Sequence, residues 1–121
     1  MAITKSNTVV VNDVSLAAGA ATVTSGDQDL TGSYRTLVRI RFTNGGTGPT
    51  VQCQCAINIA EDTTSAHYTN LTTVFGGTVA SAVSEFAIEI PDSAEHLEFV
   101  YGSNTGQAVT LRAVIEKITA L

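Results

Sequence analysis

Apolar and polar side chains alternate along much of this chain, and the alternation is clearest over residues 36–44. One face of this segment carries Val38, Ile40 and Phe42, and the positions between them are mostly polar. A period of two residues is typical of a strand that is buried on one side and solvated on the other. The pattern therefore predicts a β-strand that separates a protein core from solvent.

Similar runs recur along the chain, about 10–15 residues apart, and turn-forming residues separate them. No segment shows the apolar stripe of an amphipathic helix. Regularly spaced short strands are typical of sandwiches and barrels. We therefore predict an all-β fold: a two-sheet antiparallel β-sandwich of about eight strands, with a jelly roll as first choice and an immunoglobulin-like sandwich as second. The candidate strands are residues 7–16, 21–24, 28–31, 36–44, 50–60, 67–75, 83–90, 97–101 and 108–118.

The pattern also assigns side chains to the core. In the first run Val10, Val14 and Leu16 share one face, which Asn12 interrupts, so this face should turn inward. The apolar positions of the other runs should meet in one core between the two sheets. Its lining is predicted to be Val38, Ile40, Phe42, Cys53, Cys55, Ile57, Phe86, Ile88, Leu97, Phe99 and Leu111.

One connection is predicted to be short-range. The runs at residues 36–44 and 50–60 are separated by a cluster of breakers that includes Gly45, Gly46 and Gly48. Two alternating runs joined by a Gly-rich loop are typical of a β-hairpin. The sequence therefore predicts that these two strands pair with each other, whereas the rest of the strand order stays open.

The composition sets the size of the fold. The length of 121 residues suits one domain, so we predict a single β-sandwich domain over residues 1–121. Hydrophobic residues make up 44% of the chain, which supports a core, and charged residues only 14%. The first seven residues are mostly polar, so residues 1–7 are expected to form a flexible N-terminal arm.

The charge pattern restricts the partners. A net charge of −5 argues against nucleic acid as a partner, because phosphate groups require a basic surface. No run approaches the roughly 18 apolar residues of a membrane span, and the N-terminus lacks the apolar region of a signal peptide. Arg35, Arg39 and Arg41 form the only local basic group, which we interpret as a solvated or interface face. We expect synthesis in the cytosol and no membrane partner.

Residues that could carry chemistry are few and scattered. Cys53 and Cys55 point to the same face of a strand, a geometry that disfavours a disulfide between them, and we interpret both as small buried residues. His67 and His96 have no adjacent Cys or His, which favours surface or hydrogen-bonding roles over metal binding. No nucleophile elbow or nucleotide-binding loop occurs. We predict no enzyme activity, no catalytic residue, no cofactor and no metal.

The sequence also contains two acidic pairs. Glu85 and Glu89 fall on the solvent face of one predicted strand, which is typical of a solvated surface. Glu61 and Asp62 precede two threonines, and this loop leaves a calcium site open as an alternative.

Three segments carry a resemblance to a known group of proteins. They are KSNTVV at residues 5–10, TNGGTGPT at residues 43–50 and GSNTGQAVTLR at residues 102–112. Similar strings, at similar spacing, recur in small virion-associated structural proteins of tailed phages and prophages. The chain resembles that group over most of its length, although the shared motifs are turn motifs.

The resemblance implies a structural role, and it offers no catalytic residues to transfer. It favours a capsid decoration (cement) protein that contacts the major capsid protein or other virion proteins. A tail or fibre component and a carbohydrate- or receptor-binding module remain alternatives. Jelly rolls commonly surround three-fold positions in viral shells, so a homotrimer is expected, in a virion assembled in the host cytoplasm.

Overall fold

The computed structural model describes residues 3–61 and 68–120. Its strands are β1 (Thr4–Leu16), β2 (Val23–Thr24), β3 (Gln28–Asp29), β4 (Arg35–Asn44), β5 (Gln54–Ala60), β6 (Thr69–Phe75), β7 (Val83–Ile90), β8 (His96–Gly102) and β9 (Val109–Ala120). Within the described ranges no helix has the length and hydropathy needed to cross a membrane.

The strands form two antiparallel sheets, which confirms the predicted all-β sandwich. One sheet has four strands in the order β1-β9-β4-β7. The other has five strands in the order β2-β8-β5-β6, with β3 also paired to β8. The short strands β2 and β3 follow each other along β8 and act as two halves of one interrupted strand. With that pair counted once, the described residues form four strands in each sheet, and among these strands only β5 and β6 are neighbours in both sequence and sheet, which is the topology of a jelly roll.

The core lies between the two sheets. Val38, Ile40 and Phe42 of β4 are buried, and so are Cys55 and Ile57 of β5 in the opposite sheet. The predicted core is confirmed except at two positions: Phe86 and Ile88 pack against the core but are only partly buried. Both belong to β7, which is the edge strand next to β4 in the described sheet, so they are partly open to solvent.

The predicted hairpin between residues 36–44 and 50–60 is wrong. β4 pairs with β7 and β9, whereas β5 pairs with β6 and β8 in the other sheet. Residues 45–53 therefore cross from one sheet to the other, a separation of about 10 Å. Alternation reveals which face of a strand is buried, but two strands that face each other across a core show the same alternation as two neighbours.

The first strand departs from its predicted face. Val11 and Leu16 are buried, whereas Val14 is 43% exposed. The pairing of β1 with β9 shifts register between Val9 and Val11 and again between Val11 and Val14. Asp13 has a φ of 50°, in the left-handed region. These irregularities are β-bulges, and each bulge moves the following side chains to the other face of the strand.

The predicted free arm is also wrong for residues 4–7. Thr4 pairs with Ala120, and Lys5 pairs with Ile118, so this segment belongs to β1. Its polar side chains are exposed, but its backbone groups form ladder hydrogen bonds with β9. A polar sequence is thus compatible with an edge strand, because the backbone supplies the pairing. Met1 and Ala2 lie outside the described residues.

Gly48 permits the closest approach between two connections. A Cβ atom at Gly48 would lie 1.9 Å from the carbonyl oxygen of Thr78, whereas a Cβ atom at Gly46 would meet nothing within 4 Å. Neither glycine has a positive φ, so packing alone distinguishes them.

We expect Gly48→Ala to lower the free energy of unfolding by about 1–3 kcal/mol, the usual cost of overpacking. Gly46→Ala, the matched control, should leave the stability within about 0.5 kcal/mol of the native chain. Urea unfolding followed by circular dichroism measures both. Equal stability of the two variants would contradict the close approach of residues 45–53 to residues 76–82.

Candidate docking surface

Four connections gather at one end of the sandwich: residues 17–22, 45–53, 76–82 and 103–108. The strand register places their flanking strand ends side by side. Leu16 and Asn44 both pair with Val109, Thr43 pairs with Val83, and Gln54 pairs with both Gly102 and Phe75. The antiparallel jelly roll thus brings parts of the sequence that are far apart onto one surface.

Backbone hydrogen bonds join these connections to one another. The N–H of Gly19 donates to the carbonyl of Asn104 over 2.8 Å. The N–H of Thr50 donates to the carbonyl of Thr105 over 2.8 Å, and their two hydroxyls lie 2.9 Å apart. Ser81 similarly donates to the carbonyl of residue 45 over 2.7 Å. The four connections therefore form one hydrogen-bonded platform rather than separate loops.

Two buried asparagines form hydrogen bonds to this platform from its core side. Asn104 is 1% exposed, and its Nδ2 donates to the carbonyls of Leu16 over 3.0 Å and Gln107 over 2.8 Å. Asn44 is also buried, and its Nδ2 donates to the carbonyl of Val79 over 2.9 Å. Each amide thus donates to backbone carbonyls at this end of the sandwich, including those of the loop residues Gln107 and Val79. Neither asparagine stands out in the sequence, because nothing in its local pattern shows that its side chain is buried.

The chemistry of this surface is uniform. None of the four connections contains Asp, Glu, Lys, Arg or His. Their exposed apolar residues include Val51 and Val79, which are 52% and 68% exposed, and Phe75 and Val83 lie exposed at the adjoining strand ends. We call residues 17–22, 45–53, 76–82 and 103–108 the uncharged end. An exposed surface with apolar groups and no charge is typical of a protein-binding site.

The opposite end is acidic. Glu61, Asp92 and Glu95 lie in the connections there, and the N–H of Glu95 donates to the carbonyl of Ala60 over 2.8 Å. Asp29 belongs to the same region, since β3 pairs with the start of β8. A hydroxyl and an N–H of Thr31 donate to the Asp29 carboxylate and hold the pKa of that carboxyl below its usual value. Carboxylates thus lie in the described connections at this end, which we call the acidic end, whereas Arg35 and Lys117 lie on the adjoining strands.

The predicted arginine face lies on the outer surface of the four-stranded sheet. Arg35 pairs with Glu89 over 2.7 Å, and Arg39 pairs with Glu116 over 2.8 Å. Both pairs are exposed to solvent, so each contributes at most about 1 kcal/mol to stability. Glu85 is exposed on the same surface, as Glu89 is, which agrees with the predicted solvent face of their strand.

His96 lies on the outer surface of the five-stranded sheet. Its Nδ1 is 2.9 Å from an oxygen of Asp27, and the hydroxyl of Tyr68 donates to the other oxygen of the same carboxylate. Loss of hydration and the neighbouring Asp27 raise the pKa of Tyr68. The cluster ties the β2–β3 turn to β8 and to the residue before β6. His67 lies outside the described residues.

The remaining candidates do not assemble into a site. Asp62 and the two threonines of the alternative calcium loop lie outside the described residues. Over residues 3–61 and 68–120 no three His, Cys, Asp or Glu side chains are grouped closely enough to hold a metal ion.

Cys53 and Cys55 are both free and fully buried, as the sequence predicts. Burial raises the pKa of the Cys53 thiol to about 11 and that of the Cys55 thiol to about 12. Both thiols point into the core, because alternate residues of a strand share a face. Neither sulfur is placed to react with another molecule.

Comparison with solved structures adds the fold relationships. The chain is similar to the VP2 protein of infectious bursal disease virus in its subviral particle, with a TM-score of 0.57 and 12% identity over 96% of this chain. It covers only 32% of that VP2 chain. This similarity shows a β-sandwich fold shared with viral capsid proteins. No family model and no curated protein sequence matches the chain.

Two further similarities come from other kinds of protein. A subunit of the disulfide-linked pili described as Bacillus endospore appendages matches with a TM-score of 0.51 and 10% identity, covering 98% of this chain and 89% of that one. A family 16 carbohydrate-binding module matches with a TM-score of 0.49 and 12% identity, over 82% of this chain and 70% of the module. The last similarity is too slight to support an inference.

The burial of both cysteines predicts slow thiol chemistry. At pH 8 a raised pKa leaves each thiol protonated, and burial excludes the reagent, so native protein should react with Ellman's reagent far more slowly than a free thiol. The same protein in guanidinium chloride is the control and should release two equivalents at once. Rapid labelling of the native protein would contradict the inward orientation of β5.

Proposed function

We propose that the protein is a non-enzymatic structural protein of a bacteriophage virion, a decoration protein that stabilises the head lattice by binding the major capsid protein. The uncharged end is the observation that carries the proposal. Its loops are already joined by hydrogen bonds, so binding costs little ordering entropy. It also contains no charged side chain that would lose its hydration at an interface.

The distribution of charge supports the same orientation. The acidic residues Glu61, Asp92 and Glu95 lie at the opposite end, where they would remain in solvent after docking. Net charge in that position opposes nonspecific association of particles. A protein bound through the uncharged end would thus present its acidic end outward.

The comparison with VP2 supports the structural class. A sandwich of this kind is part of a viral shell protein, although this chain spans about a third of that protein's length. The resemblance of residues 43–50 and 102–112 to phage virion proteins adds a second line of support. Both segments contribute to the uncharged end, so the segments that carry the resemblance contribute to the proposed contact surface.

A tail or fibre component is the second candidate. The pilus subunit matches over nearly its whole length, and that protein assembles into filaments. The same uncharged end would then contact a neighbouring subunit along a fibre. Binding of purified protein to isolated tails, but to no form of the head, would favour this candidate.

Head binding tests the proposal directly. We expect the native protein to co-sediment with expanded, undecorated phage heads. Val79→Asp should weaken this binding by at least about tenfold, because the new carboxylate would lose its hydration without gaining a partner.

Ser93→Asp is the matched control, since it adds the same charge in the exposed turn at the acidic end. It should bind as the native chain does. Equal loss of binding in both variants, or native affinity in Val79→Asp, would contradict docking through the uncharged end.

The proposed assembly is a homotrimer around a three-fold lattice position. Light scattering of the purified protein at high concentration should give three times the chain mass of 12.6 kDa. A strictly monomeric protein across the concentration range would contradict the trimer while leaving head binding to be judged by its own measurement.

A further inference from the structure

The edges of the two sheets differ in regularity. In the four-stranded sheet, β7 pairs with β4 without a register shift and contains neither proline nor lysine. At the other edge β1 is regular over Lys5–Val9 and bulged beyond it. In the five-stranded sheet, β2 and β3 have two residues each, and β6 pairs with β5 across a register shift. Short or irregular edges resist pairing with another chain, so the regular edges of the four-stranded sheet are the ones suited to it.

The edge of β7 presents unpaired backbone groups. The N–H of Asn44 donates to the carbonyl of Ala82 over 3.0 Å, which fixes the alternation of hydrogen-bonded pairs along β4 and β7. The N–H and carbonyl groups of Glu85, Ala87 and Glu89 are therefore directed away from β4. Within the described residues these groups bond to no other part of the backbone. β7 can thus accept a further strand.

The even number of strands makes the opposite edge match. Because neighbours are antiparallel throughout the order β1-β9-β4-β7, β1 and β7 run in opposite directions. The same alternation, continued through β4 and β9, directs the backbone groups of Lys5, Asn7 and Val9 outward from β1. The side chains of these residues lie on the outer face of the sheet, as those of Glu85 and Glu89 do. The two edges are therefore complementary in direction, hydrogen bonding and face.

We infer that β7 of one copy pairs with Lys5–Val9 of the next copy, so that three copies form one continuous, closed sheet. The inference rests on the proposed homotrimer and identifies its contact. When the copies surround an axis along the strands, with their uncharged ends on the same side, β7 meets the next β1 in the antiparallel direction. The register of greatest overlap places Ala87 opposite Asn7 and Glu89 opposite Lys5. A head-to-tail contact of this kind closes a ring and leaves no free edge in the joined sheet.

The charges favour pairing of unlike edges. Opposite charges that face each other across two strands stabilise a sheet, whereas like charges destabilise it. Pairing of β7 with a second β7 would place the glutamates of both copies on one ladder. Pairing with β1 instead brings Lys5, which forms no ion pair over residues 3–61 and 68–120. Glu89 contacts Arg35 through Oε1, so its second oxygen can accept the lysine.

The same register extends the core at the β7 edge. Phe86 and Ile88 pack against the core but remain partly exposed. Thr8 and Ser6 of the next copy would lie opposite them on the inner face. The new strand would thus remove apolar surface from water, in addition to forming main-chain hydrogen bonds. This gain explains why β7 is the acceptor edge.

A disulfide between the paired edges tests the contact. Asn7→Cys combined with Ala87→Cys places the two thiols opposite each other across the proposed interface, within disulfide reach. In one chain the two positions lie three strand spacings apart, about 14 Å, so they cannot join. Oxidation should therefore yield a covalent trimer on a non-reducing gel and stop there. Monomers only, or a ladder that continues beyond three copies, would overturn the inference.

Asn7→Cys combined with Thr73→Cys is the matched control. Gly76 donates its N–H to the carbonyl of Cys53, so the alternation along β5 and β6 directs the backbone groups of Thr73 outward from β6. Thr73 thus occupies an equivalent edge position in the other sheet. This variant should give no covalent trimer, and equal cross-linking of the two variants would overturn the inference.

A proline substitution tests the contact without new chemistry. The N–H of Ala87 is directed outward, so Ala87→Pro retains the hydrogen bonds between β4 and β7 and removes one donor from the edge. Its circular dichroism should match that of the native chain, while its mass in light scattering should fall from trimer to monomer. Thr73→Pro is the control and should remain a trimer. A folded Ala87→Pro that stays trimeric would overturn the inference, and the cross-linking result decides if this variant fails to fold.

Binding to phage heads is measured on the same variants and separates the two proposals. Ala87→Pro leaves the uncharged end unchanged. A native trimer that persists in Ala87→Pro would overturn the edge pairing alone. A native trimer that dissociates in Ala87→Pro but binds no form of the head would support the pairing and overturn the proposed decoration of the capsid.

Discussion

The burial of two apolar sheet faces against each other determines the rest of this structure. Val38 and Phe42 on one sheet, and Cys55 and Phe99 on the other, leave almost no exposed surface. Because successive strands mostly contribute to opposite sheets, most connections must cross from one sheet to the other. The crossings can occur only at the two ends of the sandwich. Formation of the core therefore gathers the connections into two surfaces, one at each end of the sandwich.

The same constraint sorts the charges. Alternate strand positions are taken by the core, so charged side chains are restricted to the outer faces and the connections. In this chain they are distributed unevenly among those places: the arginines lie on one outer face, and acidic residues such as Glu61 and Glu95 lie at one end. The other end is left with small and apolar residues. A small body therefore presents several chemically distinct surfaces, which suits a protein that contacts different neighbours at the same time.

The sequence predicted the buried face of each strand better than it predicted which strands pair with each other. The alternation at Val38, Ile40 and Phe42 identified both a strand and its buried side, because period two is a direct consequence of strand geometry. It could not reveal that residues 36–44 and 50–60 face each other across the core, since pairing depends on the whole chain. The bulge at Asp13 was missed for a related reason: an extra residue in a strand leaves no compositional signal. The four charge-free segments of the uncharged end are visible in the sequence, but only the strand order shows that they meet.

The pairing of β1 with β9 has a consequence for how the chain is made. β1 lies at the edge of its sheet, and its partner among the described strands is β9. During synthesis its thirteen residues must therefore stay unpaired until β9 has emerged. Closing such long-range contacts is slow in comparison with forming local ones, because the entropy of the intervening chain is lost first. The four-stranded sheet is thus completed only when β9 pairs, and a nascent chain exposes an unpaired β1 until then.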